Sequence, residues 1–186
     1  MSDDFKEKID AVLHFWFEEC RPEQWYKKDT VFDAHVEERL GGHHAAAAKG
    51  DYDAWKETAR GALALTILLD QVPRNIFRDE ARAFATDAMA RSVVRDALSR
   101  GLDAQLSQIE RCFLYLPLEH SEDLADQEDT CRLMKALDEY PAFYDYALAH
   151  HRIIDRFGRF PHRNDILGRS STAEETEFLS QPDSSF

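Results

Sequence analysis

Cysteine is scarce in this chain of 186 residues: Cys20, Cys112 and Cys131 include no C-x-x-C pair and leave one over from any pairing. That excludes a disulfide framework and suits a reducing compartment, with the thiols as core filler. Glycine and proline are few, seven and six, and no Ser/Gly-rich or Pro-rich stretch interrupts the chain before its last positions. Without a linker, residues 1–186 read as a single domain, with about the last six positions disordered. Long apolar runs are missing as well. The longest charge-free one, Gly61 to Leu69, falls far short of the roughly 20 residues that span a bilayer, so no membrane partner is expected. The N-terminal stretch mixes Asp, Lys and Glu with no basic stub before an apolar run. It reads as no secretory signal, and a cytoplasmic location is the expectation.

Several catalytic signatures are absent. There is no G-x-G-x-x-G, no G-x-x-x-x-G-K-[ST] and no G-x-S-x-G, so dinucleotide binding, P-loop chemistry and a hydrolase elbow are unsupported. Eight histidines include the pairs His43-His44 and His150-His151, but no H-E-x-x-H and no Cys/His zinc spacing. Adjacent helical residues point about 100° apart, so neither pair chelates by itself. No cofactor and no metal are expected. Lys plus Arg reach 23 against 36 for Asp plus Glu, a net charge of −13. Such a balance repels a phosphate backbone and disfavours nucleic acid.

What is present is helical periodicity. Ile109, Cys112, Phe113 and Leu116 recur on one face, as do Phe143, Ala147, His150, Ile154 and Phe157. No alternating strand pattern stands out. Punctuation predicts helices from about Asp4 to Glu19 and from Asp29 to Leu40, the second stopping at Gly41-Gly42. Ala45 to Lys49 adds a short turn, and Asp51 caps a long helix from Tyr52 to about Leu69 that Pro73 interrupts. Another opens at Thr86 or Asp87 and closes at Gly101. Ser107 with Glu110 forms a capping box for a helix that ends or kinks at Pro117, and Asp123 to Leu137 follows. Pro141 starts a helix that Gly158 ends, and Ser171 with Glu174 makes a second box. The fold class is all-α: seven to nine helices in irregular stacked antiparallel hairpins. The 34-residue signature of a tetratricopeptide repeat is not visible.

Chemistry is sought where polar residues fall on apolar stripes. Rotation places Asp70 in the stripe of Trp55, Ala59, Leu63, Thr66 and Ile67, where a carboxylate needs partners. Arg74 one turn on is the first candidate; the alternative is a capping carboxylate that sees water. Gln71, Arg74 and Asn75 crowd the same turn, a composition suited to bidentate recognition of a carboxylate or phosphate. His120 would share the side of Ile109, Phe113 and Leu116 if helical phase survived Pro117, and otherwise lies in a turn near the surface. From His151 to Arg169 the chain carries five arginines against two aspartates and no lysine. The Pro-Arg-Asn at 73–75 is echoed there by Pro161-His162-Arg163-Asn164. If the two turns met, Arg74, Asn75, Arg159, His162, Arg163 and Asn164 would line one pocket for an anion. The plainer alternative pairs each arginine with its own acid.

Three of these segments, LDQVPRNIFRD at Leu69 to Asp79, LPLEHSED at Leu116 to Asp123 and RFGRFPHRNDILGR at Arg156 to Arg169, resemble the bacterial family known as domain of unknown function 924. VLHFWF at Val12 to Phe17 and ARAFATD at Ala81 to Asp87 fit as well. The resemblance spans nearly the whole chain, departing mildly at Val72, where a bulkier aromatic is expected. It implies an all-helical, tetratricopeptide-like fold and carries no established activity or catalytic residue. The functional expectation is therefore a pocket for a small anionic molecule, with Asp70 and His120 as the acid/base pair. The alternative is a scaffold that binds an acidic peptide or a protein partner along a helical groove.

Overall fold

A computed structural model describes residues 3–182 and Ser184. The order is α1 (Asp3–His14), α2 (Thr30–Ala48), α3 (Ala59–Thr66), α4 (Val72–Ile76), α5 (Asp87–Ser99), α6 (Gln108–Glu119), α7 (Leu124–Lys135), α8 (Pro141–Phe157) and α9 (Ala173–Leu179). The fold is all-α, and no strand occurs among the described residues. Of the six or so C-terminal positions expected to be disordered, 183, 185 and 186 lie outside the described residues, while Gln181 and Pro182 follow α9 and the Ser184 hydroxyl donates to the Leu179 carbonyl at 3.3 Å.

Polar caps start most of these helices. Asp29 accepts from the Val31 and Phe32 N–H groups, Asp123 from Ala125, and Ser107 with Glu110 closes a capping box. Each satisfies amides that the first turn would leave bare. Gly101 and Gly158 follow α5 and α8 with φ of 63° and 67°, the left-handed geometry that ends a helix cheaply only with glycine. The last capping box uses Thr172 and Glu175, one residue later than Ser171 and Glu174. Ser171 is engaged elsewhere, accepting from the Asn164 amide.

Three helix boundaries differ from the sequence expectation. α2 does not stop at Gly41-Gly42 but runs on to Ala48. Val36 and Leu40 before the pair, with His44 and Ala47 after it, are all buried, and their burial outweighs about 1 kcal/mol per glycine. No long helix starts at Tyr52. Asp53–Glu57 forms a 3₁₀ turn that buries Trp55 against the ring of Tyr52, and Thr58 caps α3 instead. A Cβ on Gly61 would stand 2.2 Å from the Trp55 carbonyl oxygen, so the close approach of this turn to α3 requires glycine.

The third difference matters most for the site. Pro73 does not end the helix: α3 continues into α4 through a π turn at Ile67–Gln71, closed by the Val72 N–H on the Ile67 carbonyl. A proline ring clashes with the carbonyl four residues earlier and offers it no donor. The wider turn relieves that conflict, and side chains serve the carbonyls instead. Leu68 accepts from His44 Nδ1 at 2.8 Å, Leu69 from Thr86 Oγ1 at 2.5 Å, Asp70 from Arg74 Nη1 at 2.7 Å and Gln71 from Asn75 Nδ2 at 3.1 Å.

α5 packs on α3 and α6, α6 on α7, and α7 on α8. Trp16, Trp55, Phe113 and Leu63 centre the main core, and Ile153, Ile154 and Phe160 form a smaller one under the C-terminal segment. After α8 the chain returns in a 3₁₀ turn at Pro161–Arg163, held by the Phe160 N–H on Glu122 Oε1 at 2.9 Å. That return brings Arg163 to the end of α6.

Candidate functional site

Asp70 is wholly buried in the π turn, at the face where α3, α5 and α6 converge. Its carboxylate accepts from His120 Nδ1 at 2.9 and 3.0 Å and from Gln71 Nε2 at 2.6 Å, with Arg74 Nη1 at 3.2 Å. Burial penalises its charge, but Arg74 and His120 outweigh that and hold the carboxyl well below the usual range. The pKa of His120, the residue that caps α6, is lowered as well: burial favours its neutral form despite Asp70. The pair is therefore a carboxylate accepting from a neutral imidazole. The proton sits on Nδ1, and the lone pair of His120 sits on Nε2.

Arg74 is saturated. Its fork meets both oxygens of Asp87 at 2.9 and 3.0 Å, besides Asp70. Burial works against its charge, but these acids raise its pKa. Arg163 reaches the same spot in a different state. It is 6% exposed, and its guanidinium lies 4.7 Å from the Phe84 centroid and 4.4 Å from that of Phe160. Nη1 donates to the His120 carbonyl at 3.0 Å, Nε has no hydrogen-bond partner, and Asp87 stands off at 3.9 Å. Burial, with the Arg74 charge beside it, lowers its pKa to about 10. The two echoed turns thus meet, at Asp87 and Phe84, with one guanidinium matched and the other not.

The remaining candidates spread outward. Asn75 braces the π turn and accepts from Arg78 at 3.3 Å. Arg159 forks onto Glu175 at 2.6 and 2.8 Å and donates to the Ser170 carbonyl, serving the start of α9. Asn164 donates to Ser171 and accepts from Arg169. His162 stacks beside Phe160 at 5.5 Å, and burial lowers its pKa to about 4. The structure brings Asp70, Gln71, Arg74, His120 and Arg163 together and assigns Asn75, Arg159 and Asn164 to bracing hydrogen bonds.

Three site residues escaped the sequence reading. Asp87 was legible only as a helix start. Glu119 is 3% exposed, its Oε2 has no hydrogen-bond partner, and burial together with the Asp70 charge raises its pKa to about 8. His150 is 5% exposed, its Nδ1 lying 2.9 Å from the Tyr146 carbonyl and 3.4 Å from Glu119 Oε1. Burial drives its pKa down to about 3. The signal for His150 was its place on the apolar stripe of α8. The polar cluster lines neither of two surface clefts; one, about 430 Å³, is aromatic, bounded by Phe17, Trp25, Tyr26, Tyr140 and Phe143.

Residues 12–183 match the family described as bacterial protein of unknown function, DUF924. The chain belongs to the DUF924 family. A solved structure titled "Structure of Protein of Unknown Function ATU0120 from Agrobacterium tumefaciens" is 42% identical, with a TM-score of 0.90, over 95% of this chain and 99% of that one. No curated protein matches. For this DUF924 chain no helix among the described residues is long and apolar enough to cross a membrane.

Proposed function

We propose that this DUF924 protein binds a small anionic molecule, a carboxylate or a phosphate, beside Arg163 and the rim of His120. One observation carries the reading: Arg163 is a buried guanidinium whose nearest acid among the described residues lies 3.9 Å away, with no hydrogen-bond partner among them for Nε. A desolvated cation lacking a close counter-charge is favoured by any anion that reaches it. Arg74 then supplies no ligand contact, because Asp70 and Asp87 already occupy it. Asp70 is too enclosed to touch a substrate and acts as a positioning residue, fixing the tautomer of His120. A chemical step at this site would use His120, whose side chain keeps 15% exposure.

The test is a thermal-shift screen at pH 7.5 with inorganic phosphate, a phosphomonoester and a dicarboxylate. A ligand at 100 times its Kd should stabilise the protein by about 2.7 kcal/mol. Arg163→Gln should abolish the shift and Arg159→Gln should keep it. An equal shift in Arg163→Gln overturns the reading. The aromatic cleft favours a second one, a tetratricopeptide-like scaffold docking a partner peptide, since Tyr26 lines it with 61% exposure.

A further inference from the structure

We propose that Glu119, His120 and His150 form a binding site for one divalent transition-metal ion of the zinc, cobalt or iron(II) class. The inference stands independently of anion binding at Arg163. Each residue offers one donor atom, and the three atoms lie within 4.8 Å of one another. A point equidistant from three atoms so spaced is about 2.8 Å from each, so contraction of roughly 0.7 Å reaches the 2.0–2.2 Å typical of bound first-row metals. Side chains at the end of α6 and in the middle of α8 meet that requirement without moving the backbone far.

The donor set selects the ion. Two imidazoles and a carboxylate suit zinc, cobalt and iron(II), whereas magnesium and calcium prefer oxygen alone. His120 is also oriented the way metal-bound histidines are, its Nδ1 donating to the Asp70 carboxylate so that Nε2 is the remaining ligand atom. His150 turns Nδ1 toward the Tyr146 carbonyl at 2.9 Å and toward Glu119 Oε1 at 3.4 Å.

Glu119 supplies the independent observation. A carboxyl group 3% exposed, with one oxygen lacking a hydrogen-bond partner among the described residues, leaves a buried polar atom that a cation would satisfy. No arginine or lysine among the described residues pairs with it, and the 3.4 Å approach to His150 is long for a hydrogen bond. The neighbouring acids, by contrast, are all provided for: Asp70 and Asp87 by Arg74, and Glu122 by Arg169. A cation at this point completes Glu119. His120, the least covered of the three, gives the ion its approach from solvent.

The test strips the full chain with a chelator and titrates it with Co²⁺ and Zn²⁺, with Mg²⁺ as control. One equivalent should bind, Co²⁺ giving visible ligand-field bands and Zn²⁺ displacing it, while Mg²⁺ does neither. Asp70→Asn should weaken binding roughly 10–100-fold, the cost of losing an orienting partner. Glu119→Gln and His150→Gln should weaken it more. Glu119→Gln keeps the shape and hydrogen-bonding capacity of the side chain, so it decides the matter if His150→Gln does not fold. Arg163→Gln should retain the full equivalent, whatever the phosphate screen shows. Sub-stoichiometric uptake, or binding undiminished in Glu119→Gln, overturns the site; the second outcome assigns the ion to surface histidines such as His14.

Discussion

Arg169 and Arg163 belong to one short segment, yet their guanidiniums end in opposite states. Arg169 forks onto both oxygens of Glu122 at 2.6 and 2.9 Å and reaches the Phe160 and Asn164 oxygens as well. Arg159 does the same on Glu175. Arg163 is more deeply buried than either, yet no acid among the described residues lies within hydrogen-bond distance of it. Matched forks hold the C-terminal segment and α9 in place. The unmatched one donates to the carbonyl of His120, the neighbour in sequence of Glu119, whose Oε2 has no hydrogen-bond partner among the described residues. Local charge density is the same in sequence for both kinds of arginine; only the distance to an acid separates the matched forks from the unmatched one.

The sharpest way to break this contrast is Asp70→Ala. It strips His120 and Gln71 of an acceptor and removes one of the two acids on Arg74. Leaving such groups buried and uncompensated costs about 3–5 kcal/mol, which should lower the Tm by roughly 10 °C or more. Next comes Arg169→Ala, expected to cost about 1–3 kcal/mol because two carboxylate hydrogen bonds disappear from a half-buried site. A double-mutant cycle with Glu122→Gln should return a coupling energy of roughly 0.5–3 kcal/mol.

Glu175 gives a smaller effect with a defined pH window. Its hydrogen bonds from Arg159 and the Thr172 N–H lower its pKa to about 2, beneath the 4.5 of the free side chain. The folded state therefore binds fewer protons, and the stability it contributes is fully present above pH 4.5 and lost as pH falls toward 2. Glu175→Gln should flatten that acid limb in denaturant titrations and cost on the order of 1 kcal/mol at pH 7. Least of all should be Arg163→Gln, under about 1 kcal/mol, since removing a desolvated and poorly paired charge relieves as much as it loses. If Arg163→Gln destabilises as much as Arg169→Ala, the distinction between matched and unmatched arginines collapses.

Much of the helical framework was legible because capping chemistry is local. Asp29, Asp123, the Ser107–Glu110 box, Gly101 and Gly158 act within one turn of their own position. Asp70 was legible for a related reason: an acid on an apolar stripe declares itself by phase. Glu119 was not, because Pro117 made the phase beyond it uncertain, although α6 in fact holds its register to that residue. Asp87 looked like a first-turn acid and is one, but it also receives Arg74 across a gap in sequence. The continuation through Pro73 depended on donors from α2 and from Thr86, which no local pattern contains. Long-range satisfaction of backbone carbonyls is the part a linear reading cannot supply.

The widened turn before Pro73 has one residue more than a regular helix would spend on the same rise. Deleting a residue from Ile67–Gln71 would take out that extra unit and set the Pro73 ring against the carbonyl four residues before it. The backbone that carries Asp70 and Arg74 would have to shift to avoid the clash, loosening the contacts of both. The alignment of this whole charged hub is thus a matter of a single extra peptide unit, tucked in where a proline made it the cheaper way to keep coiling.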